Sequence, residues 1–427
     1  MVRSHFPPLR VTMLLGCGAL LYFFANFQRV AVPGALFNEL QRDLSLRAAA
    51  VTGLGSVFMY IYAAAQLAVG FWVDRYGGRR VLAAGAVVFG IGGVLFPLCS
   101  SVEALYACRM LTGLGAATFY LSLMREIARS FPRNCSFVLA LLIVIGFAGG
   151  IAANAPFTHC VEHVGWRGSL LGTGIAAAVV GALSLTLLKG AGTDAPPAAA
   201  VPAPFARWRA ILADPRNRCL FLFSSLNFGL FYVVQTVIGK KFLMDCGGLG
   251  TVAAGWVMSL LGTLAAGSGI FCAWLYRRCG DRPRRLFLAA AGNAALLFLL
   301  MIAALAAEMR GAWYALGLCA LAPFAALSPV LVSYLKDHNP PEQLAMVVGL
   351  MNFCNYLVIA VLGNLSGVIL DRFPAVEAAN GARVYPAAAY LALLGLLFGC
   401  ALIEGAAAAR LTAPADSRTG TAPRRGA

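Results

Sequence analysis

Long apolar runs alternate with short polar breaks along the whole chain. Twelve such runs are legible, at about 11–36, 49–73, 79–99, 103–124, 135–158, 167–188, 218–243, 250–276, 285–307, 311–335, 343–370 and 384–408. Each is long enough, as a helix, to cross a hydrocarbon core of ~30 Å, some of them with tilt. Backbone polar groups in lipid must be satisfied within the segment, so the runs are read as helices. The longest internal break, 189–217, is rich in Ala and Pro and ends in Arg207, Arg209, Arg216 and Arg218. It reads as a flexible linker with a basic end, joining a six-helix half at 1–188 to a second at 218–410. The stretch from 411 to 427 is polar and reads as a disordered tail.

Composition narrows the class. The 427 residues are 60% hydrophobic and 12% charged, against about 25% charged in a soluble domain. That is too little charge to cover a water-exposed surface, so the expected fold is an all-α membrane protein. The net charge of +16 lies in short loops between apolar runs, not along one soluble face, which argues against nucleic acid as a partner. The twelve cysteines are scattered without a C-x-x-C pair, and most lie in apolar runs, where Cys behaves as a small hydrophobe. No metal site, disulfide framework or cofactor is expected. Met1–Arg10 is basic, but the run after it is too long for a cleaved signal and is read as the first span. No nucleophile–base pair, phosphate loop or metal cluster is found, so enzyme chemistry is not expected. Placing both termini in the cytoplasm puts most Lys and Arg on the inner loops. The expected location is a bacterial inner membrane, with the chain as a monomer.

The break between the second and third runs has its own pattern, Gly70-Phe-Trp-Val-Asp74-Arg75-Tyr-Gly77-Gly78-Arg79-Arg80. Two antiparallel helices joined this tightly need glycine at the turn. Asp74 closes the first helix, where the helix dipole disfavours an anion, so it requires a cation; Arg75, Arg79 and Arg80 are at hand. This G-x-x-x-D-R-x-G-G-R-R loop resembles the signature between helices 2 and 3 of the major facilitator superfamily. The resemblance implies two six-helix halves related by a pseudo-two-fold axis around a central cavity, with Gly70, Asp74, Arg75, Gly77, Arg79 and Arg80 as a conformational lock. A weaker copy, Arg277-Arg278-Cys-Gly280-Asp281-Arg282-Pro-Arg284-Arg285, follows the eighth run at an offset of 203 residues. Arg277 stands there in place of the acid at Asp74.

Polar residues inside spans are costly, and arginine costs at least about 2.5–3.5 kcal/mol at mid-membrane. Tyr22, Asn26 and Arg29 fall on one face of the first run at i, i+4 and i+7. A guanidinium facing a cavity beside a phenol and an amide suits a carboxylate or phosphate; the competing reading lets Arg29 snorkel outward near Pro33. Arginine in helix 1 resembles the organic-anion and organophosphate branches of the superfamily, where it helps hold the substrate anion. The phosphate transporters add an arginine in helix 7, but Gln235 occupies the matching place here, which favours a carboxylate monoanion over a phosphate ester. Lys240 and Lys241 either supply the missing charge or cap the outer end of that helix. Arg109 and Gly113, in Arg109-Met-Leu-Thr-Gly113, resemble the helix 4 motif linked to proton coupling; a buried arginine bonding backbone carbonyls is the plainer alternative. Asn154, in the fifth run, and Asn355 with Tyr356, in the eleventh, serve either the cavity or helix cross-links. Glu103, Glu126, Asp371 and Glu404 are all expected near span ends, as are the histidines.

The expected function is therefore a secondary transporter that moves a small organic anion by alternating access, by proton symport or anion exchange. Tyr22, Asn26, Arg29, Asn154, Gln235, Lys240, Asn355 and Tyr356 are its candidate binding residues. Drug efflux and a transporter-like membrane sensor are the alternatives.

Overall fold

The computed structural model describes residues 9–188, 204–278, 282–340, 343–378 and 381–411. The basic extreme N-terminus, linker residues 189–203, Cys279–Asp281 of the second loop and the tail from 412 lie outside them. Twelve long helical segments carry the fold. The first half holds α1 (Leu9–Ala35), α2 (Ala48–Tyr76), α3 (Gly78–Leu98), α4 (Val102–Ser130), α5 (Cys135–Ala152) and α6 (Ala155–Leu188). The second holds α7 (Pro215–Asp245), α8 (Thr251–Arg278), α9 (Pro283–Ala306), α10 (Trp313–His338), α11 (Leu344–Leu370) and α12 (Ala387–Arg410). Eleven helices among the described residues are long and apolar enough to cross a membrane. The twelfth, α4, has 29 residues but carries Glu103, Arg109, Arg125, Glu126 and Arg129, which dilute its apolar character.

Local chemistry places the helix ends. Pro215 stands at the start of α7 with Asp214 before it, whose carboxylate accepts from Arg216 N at 2.8 Å. The expected linker, 189–217, is therefore shorter than read: a helix, Pro204–Ala213, occupies its end. Ile211 is buried in the same cluster as Leu220, Leu331 and Tyr334, so this helix docks on the second half. The fifth run also ends early. α5 stops at Ala152, Asn154 lies in the break, and α6 begins at Ala155 with an internal bend at Gly165 (φ 79°). Between α2 and α3 the chain reverses at Gly77, whose φ of 87° is open to glycine and strained for other residues.

α1 kinks at Val32 within Ala31–Ala35, and α7 widens by a turn at the matching stretch Val234–Ile238. These turns repeat the 203-residue offset seen in the loops, and they pack on each other across the seam between the halves. A Cβ added at Gly34 would lie 2.7 Å from the Thr236 carbonyl oxygen. The hydrogen bonds that cross the seam gather at this end. Lys240 Nζ donates to Ala35 O at 2.8 Å and to Thr158 Oγ1 at 2.9 Å. The Asp371 carboxylate accepts from Ala48 N and Ala49 N at 2.8 and 2.9 Å. Arg383 donates to Leu46 O at 3.3 Å, and Ser259 Oγ donates to Ile151 O at 3.2 Å. A two-stranded hairpin, β1 (Val376–Glu377) with β2 (Arg383–Val384), covers the same end. Beside it Tyr385 accepts from Gln41 Nε2 at 2.8 Å. Buried Lys241 pairs with Asp245 at 2.7 Å, and Tyr390 donates to the second Asp245 oxygen at 2.8 Å.

At the opposite end α2, α3 and α4 are clamped by two ion pairs of unlike character. Arg79 Nε meets Glu126 at 2.7 Å with side chains only 9% and 3% exposed, whereas Arg125 meets Asp74 at 3.2 Å with 31% and 68% exposed. Arg125 also donates to Val73 O.

Two outcomes follow for stability and closure. Glu126→Gln is expected to cost about 3–5 kcal/mol, as breaking a buried pair does, while Asp74→Asn stays within about 1 kcal/mol; denaturant unfolding in detergent measures both. Gly34→Leu is expected to force α1 from α7 at a cost of about 1–3 kcal/mol, and spin labels at Arg42 and Val376 will then report longer distances than in the parent chain.

Candidate functional site

The polar face of α1 is built by its own helical spacing. Asn26 Nδ2 donates to Tyr22 O at 2.8 Å, and its Oδ1 accepts from Arg29 at 2.5 Å. Arg29 reaches across the seam rather than along the helix toward a headgroup layer. One of its terminal nitrogens lies 3.5 Å from the Tyr356 hydroxyl of α11, and its guanidinium carbon lies 4.8 Å from the centre of the Tyr232 ring of α7. Aromatic side chains from five helices gather around it. Tyr62 of α2 packs on Tyr356 at 4.4 Å, Phe228 of α7 on Tyr232 at 4.2 Å, and Phe228 on Tyr356 at 5.5 Å. Tyr22 packs on Tyr120 of α4 at 5.7 Å.

No carboxylate among the described residues lies within ion-pair distance of Arg29. A cation so deep in a span normally acquires a partner, because its desolvation is otherwise uncompensated. Here the partners are an amide oxygen, a phenol and π-faces. The Arg29 Nε has no hydrogen-bond acceptor, and neither does the hydroxyl of Ser56 on α2 have a partner. Both residues line one small hollow with Pro33, Gly55, Met59, Thr236, Val237 and Ile359. Arg29, Tyr22 and Tyr356 keep part of their surface accessible. Arg29 and Ser56 thus share one small, mostly apolar hollow at the seam, each with a buried polar atom unpaired among the described residues, while the aromatic side chains pack around the guanidinium.

The other candidate residues take different places. Asn355 is buried within the second half, its Oδ1 accepting from Ser224 and Ser225 at 3.0 and 3.2 Å. Gln235 is buried on α7 against Gly262 of α8. Asn154 bonds back to Gly150 O at 3.0 Å. Lys240 and Lys241 belong to the seal at the Gly34 end and do not line the Arg29 hollow. Arg109, 1% exposed, donates to Leu54 O, Gln28 O and Val32 O at 3.0, 3.3 and 3.0 Å, and stacks over Phe58. It ties α1, α2 and α4 together, and Gly113 lets α4 approach the Phe58 backbone. In the loop, Asp74 pairs with Arg125 of α4, a cation that the loop itself does not supply. Arg79 points inward to Glu126, Arg75 packs near Phe71 and Tyr76, and Arg80 and Gly70 face outward without close neighbours at Gly70. Chain direction explains this: Asp74 and Arg79 flank the turn on the side that α4 covers, which loop order alone does not show.

Sequence reasoning passed over Ser56, Tyr62, Tyr120, Phe228 and Tyr232. The available signal was the i, i+4 pairing of Phe58 with Tyr62 and of Phe228 with Tyr232. It also placed Glu404 near a span end, whereas Glu404 is fully buried in α12.

The Major Facilitator Superfamily model matches residues 18–363. Over 174 residues, 40% of this chain and 39% of the relative, the sequence is 26% identical to the probable sulfoacetate transporter SauU of Cupriavidus necator. It is 28% identical over 186 residues to the drug efflux pump JefA of Mycobacterium tuberculosis, covering 42% of this chain and 35% of that one. With the sialic acid transporter NanX of Escherichia coli the figures are 25% over 152 residues, 35% and 36%. The matched stretches thus span well under half of each relative. In three dimensions the chain superposes on a bacterial homologue of the human lysosomal transporter Spinster, in an inward-facing and unoccupied conformation, with a TM-score of 0.70 at 17% identity, over 94% of this chain and 96% of that one. A peptide transporter POT in complex with sulfate gives 0.72 at 16% identity, with 95% of each chain covered. With a matching family model over most of its length and the same fold in its neighbours, the chain belongs to the Major Facilitator Superfamily of membrane transporters.

Proposed function

We propose that this transporter carries a small organic monoanion, a carboxylate or sulfonate in preference to a phosphate ester, and binds it at Arg29. The observation that carries the reading is that Arg29 and Ser56, which line one hollow with no acid beside them, each hold a buried polar atom without a partner among the described residues, Arg29 Nε and Ser56 Oγ. An incoming anion supplies the charge that the fold leaves out, and the aromatic wall excludes water around it, which strengthens the bond. A lone guanidinium matches one negative charge better than two. NanX, named for sialic acid, a carboxylate monoanion, is a relative of this kind; SauU is named for sulfoacetate, a small organic anion with two acid groups.

The cross-seam bonds at the Gly34 end support alternating access, with that end on the outside and the Gly77 end, both termini and the linker in the cytoplasm of a bacterial cell. The halves then rock about the seam: the contacts at Gly34, Lys240 and Asp371 hold the outside shut while the Asp74 and Glu126 pairs brace the inner end of the first half. Filling the hollow removes the penalty of an unpaired charge and so lowers the cost of passing through the occluded state. A second reading, export of an apolar drug, draws on the likeness to JefA and on the aromatic wall.

Purified protein tested by thermal shift against methanesulfonate, N-acetylneuraminate and glycerol 3-phosphate separates these readings. The monoanions are expected to stabilise it and glycerol 3-phosphate to do so less. Arg29→Gln should weaken that binding on the order of 10- to 100-fold, the value of a charge-assisted contact, and Ser56→Ala by about 2- to 10-fold. Unchanged anion affinity in the Arg29 variant, or stabilisation by apolar drugs alone, would overturn the assignment.

A further inference from the structure

α12 holds a carboxylate that the binding reading does not use. Glu404 is 0% exposed. Its Oε1 accepts one hydrogen bond, from Asn227 Nδ2 of α7 at 3.1 Å, and its Oε2 meets no donor among the described residues. No Lys, Arg or His of the described residues forms an ion pair with it. α7 presents the neutral Asn227, and α9 comes close through Ala291 opposite Gly405. The sequence of α11 contains no charged residue, and on α12 itself the titratable neighbour is Cys400, one turn earlier. An ionised carboxylate in this place carries its charge with a single hydrogen bond and no cation. A bound proton removes that charge.

We propose that Glu404 is a proton-binding site of this transporter and that the proton it carries is moved together with the substrate. The inference rests on the anion-transport reading for its cargo, and on Glu404 and Asn227 alone for the site. α7 connects the two. Asn227 is half-buried and holds Glu404, its neighbour Phe228 packs on Tyr356, and Tyr232, one turn on, lies under Arg29. A shift of α7 when the anion binds at Arg29 therefore also moves the amide that bonds the carboxyl. The proton is taken from water and returned to water, with no other bond made or broken. One proton with one monoanion makes the cycle electroneutral, so each pH unit across the membrane supports about a tenfold accumulation, the equivalent of 1.4 kcal/mol.

Two measurements test this. In proteoliposomes loaded with the full chain, an inward proton gradient is expected to drive accumulation of N-acetylneuraminate. Glu404→Gln should abolish that accumulation, at least about tenfold per pH unit, while anion binding and anion exchange persist; Asn227→Ala should shift its pH dependence. Infrared difference spectra between two pH values, recorded without substrate, are expected to show a carboxyl carbonyl band that Glu404→Gln removes. Accumulation that ignores the proton gradient, or follows sodium instead, overturns the proposal, as does a band that survives in the variant. Absence of uptake for every anion tried overturns the anion reading instead, and the infrared result still decides Glu404.

Discussion

A positive charge that the fold does not neutralise is the constraint around which this molecule is arranged. Arg29 sits where four helices from both halves meet, and its partners are an amide, a phenol and rings. Elsewhere the chain pairs or cages its deep cations. Arg79 has Glu126, Lys241 has Asp245, and Arg109 has three carbonyls. The contrast matters more than the presence of arginine. A cation tied to a carboxylate or to backbone oxygens is structural; one left with an unpaired donor at the seam between the halves is where the proposed anion would bind. Carrier behaviour needs such incompleteness, because a site fully satisfied by protein has nothing to gain from cargo.

The seam itself explains how two bodies can stay attached at one end. Helices α1 and α7 touch through Gly34 and the Thr236 main chain, α2 and α11 through Gly367 and the backbone of Ala48 and Ala49, and α5 and α8 through Ser259. Close backbone approach gives dispersion contact with few interlocking side chains. The two ion pairs at the other end tie helices of the first half to one another.

The spans were readable because lipid leaves the main chain so few solutions, and an apolar run of sufficient length is already a statement about structure. The Asp74 loop was readable because its glycines and charges have fixed spacing. The polar face of α1 was readable from periodicity. What the linear order did not contain is which faces of α2, α4, α7 and α11 turn to the seam: Tyr62, Tyr120, Tyr232 and Tyr356 look alike as aromatic residues in apolar runs, and only packing gathers them. The same limit hid the true partners of Asp74 and Arg79, which come from α4, some fifty positions away. It also hid Glu404, whose nearness to the end of its run suggested water although neighbouring helices enclose it.

The bonds that close the Gly34 end share a trait with bearing on how such a protein changes over generations. Lys240, Asp371, Arg383 and Ser259 each reach over to a peptide oxygen or nitrogen of the opposite half, at Ala35, at Ala48 and Ala49, at Leu46 and at Ile151. Every residue type except proline at the nitrogen sites offers the same group. At these main-chain positions the receiving half can change side-chain identity and keep the bond, whereas Gly34, Gln41 and Thr158 stay constrained by contacts of their own. The two halves can in this way diverge at much of their shared border and still fit.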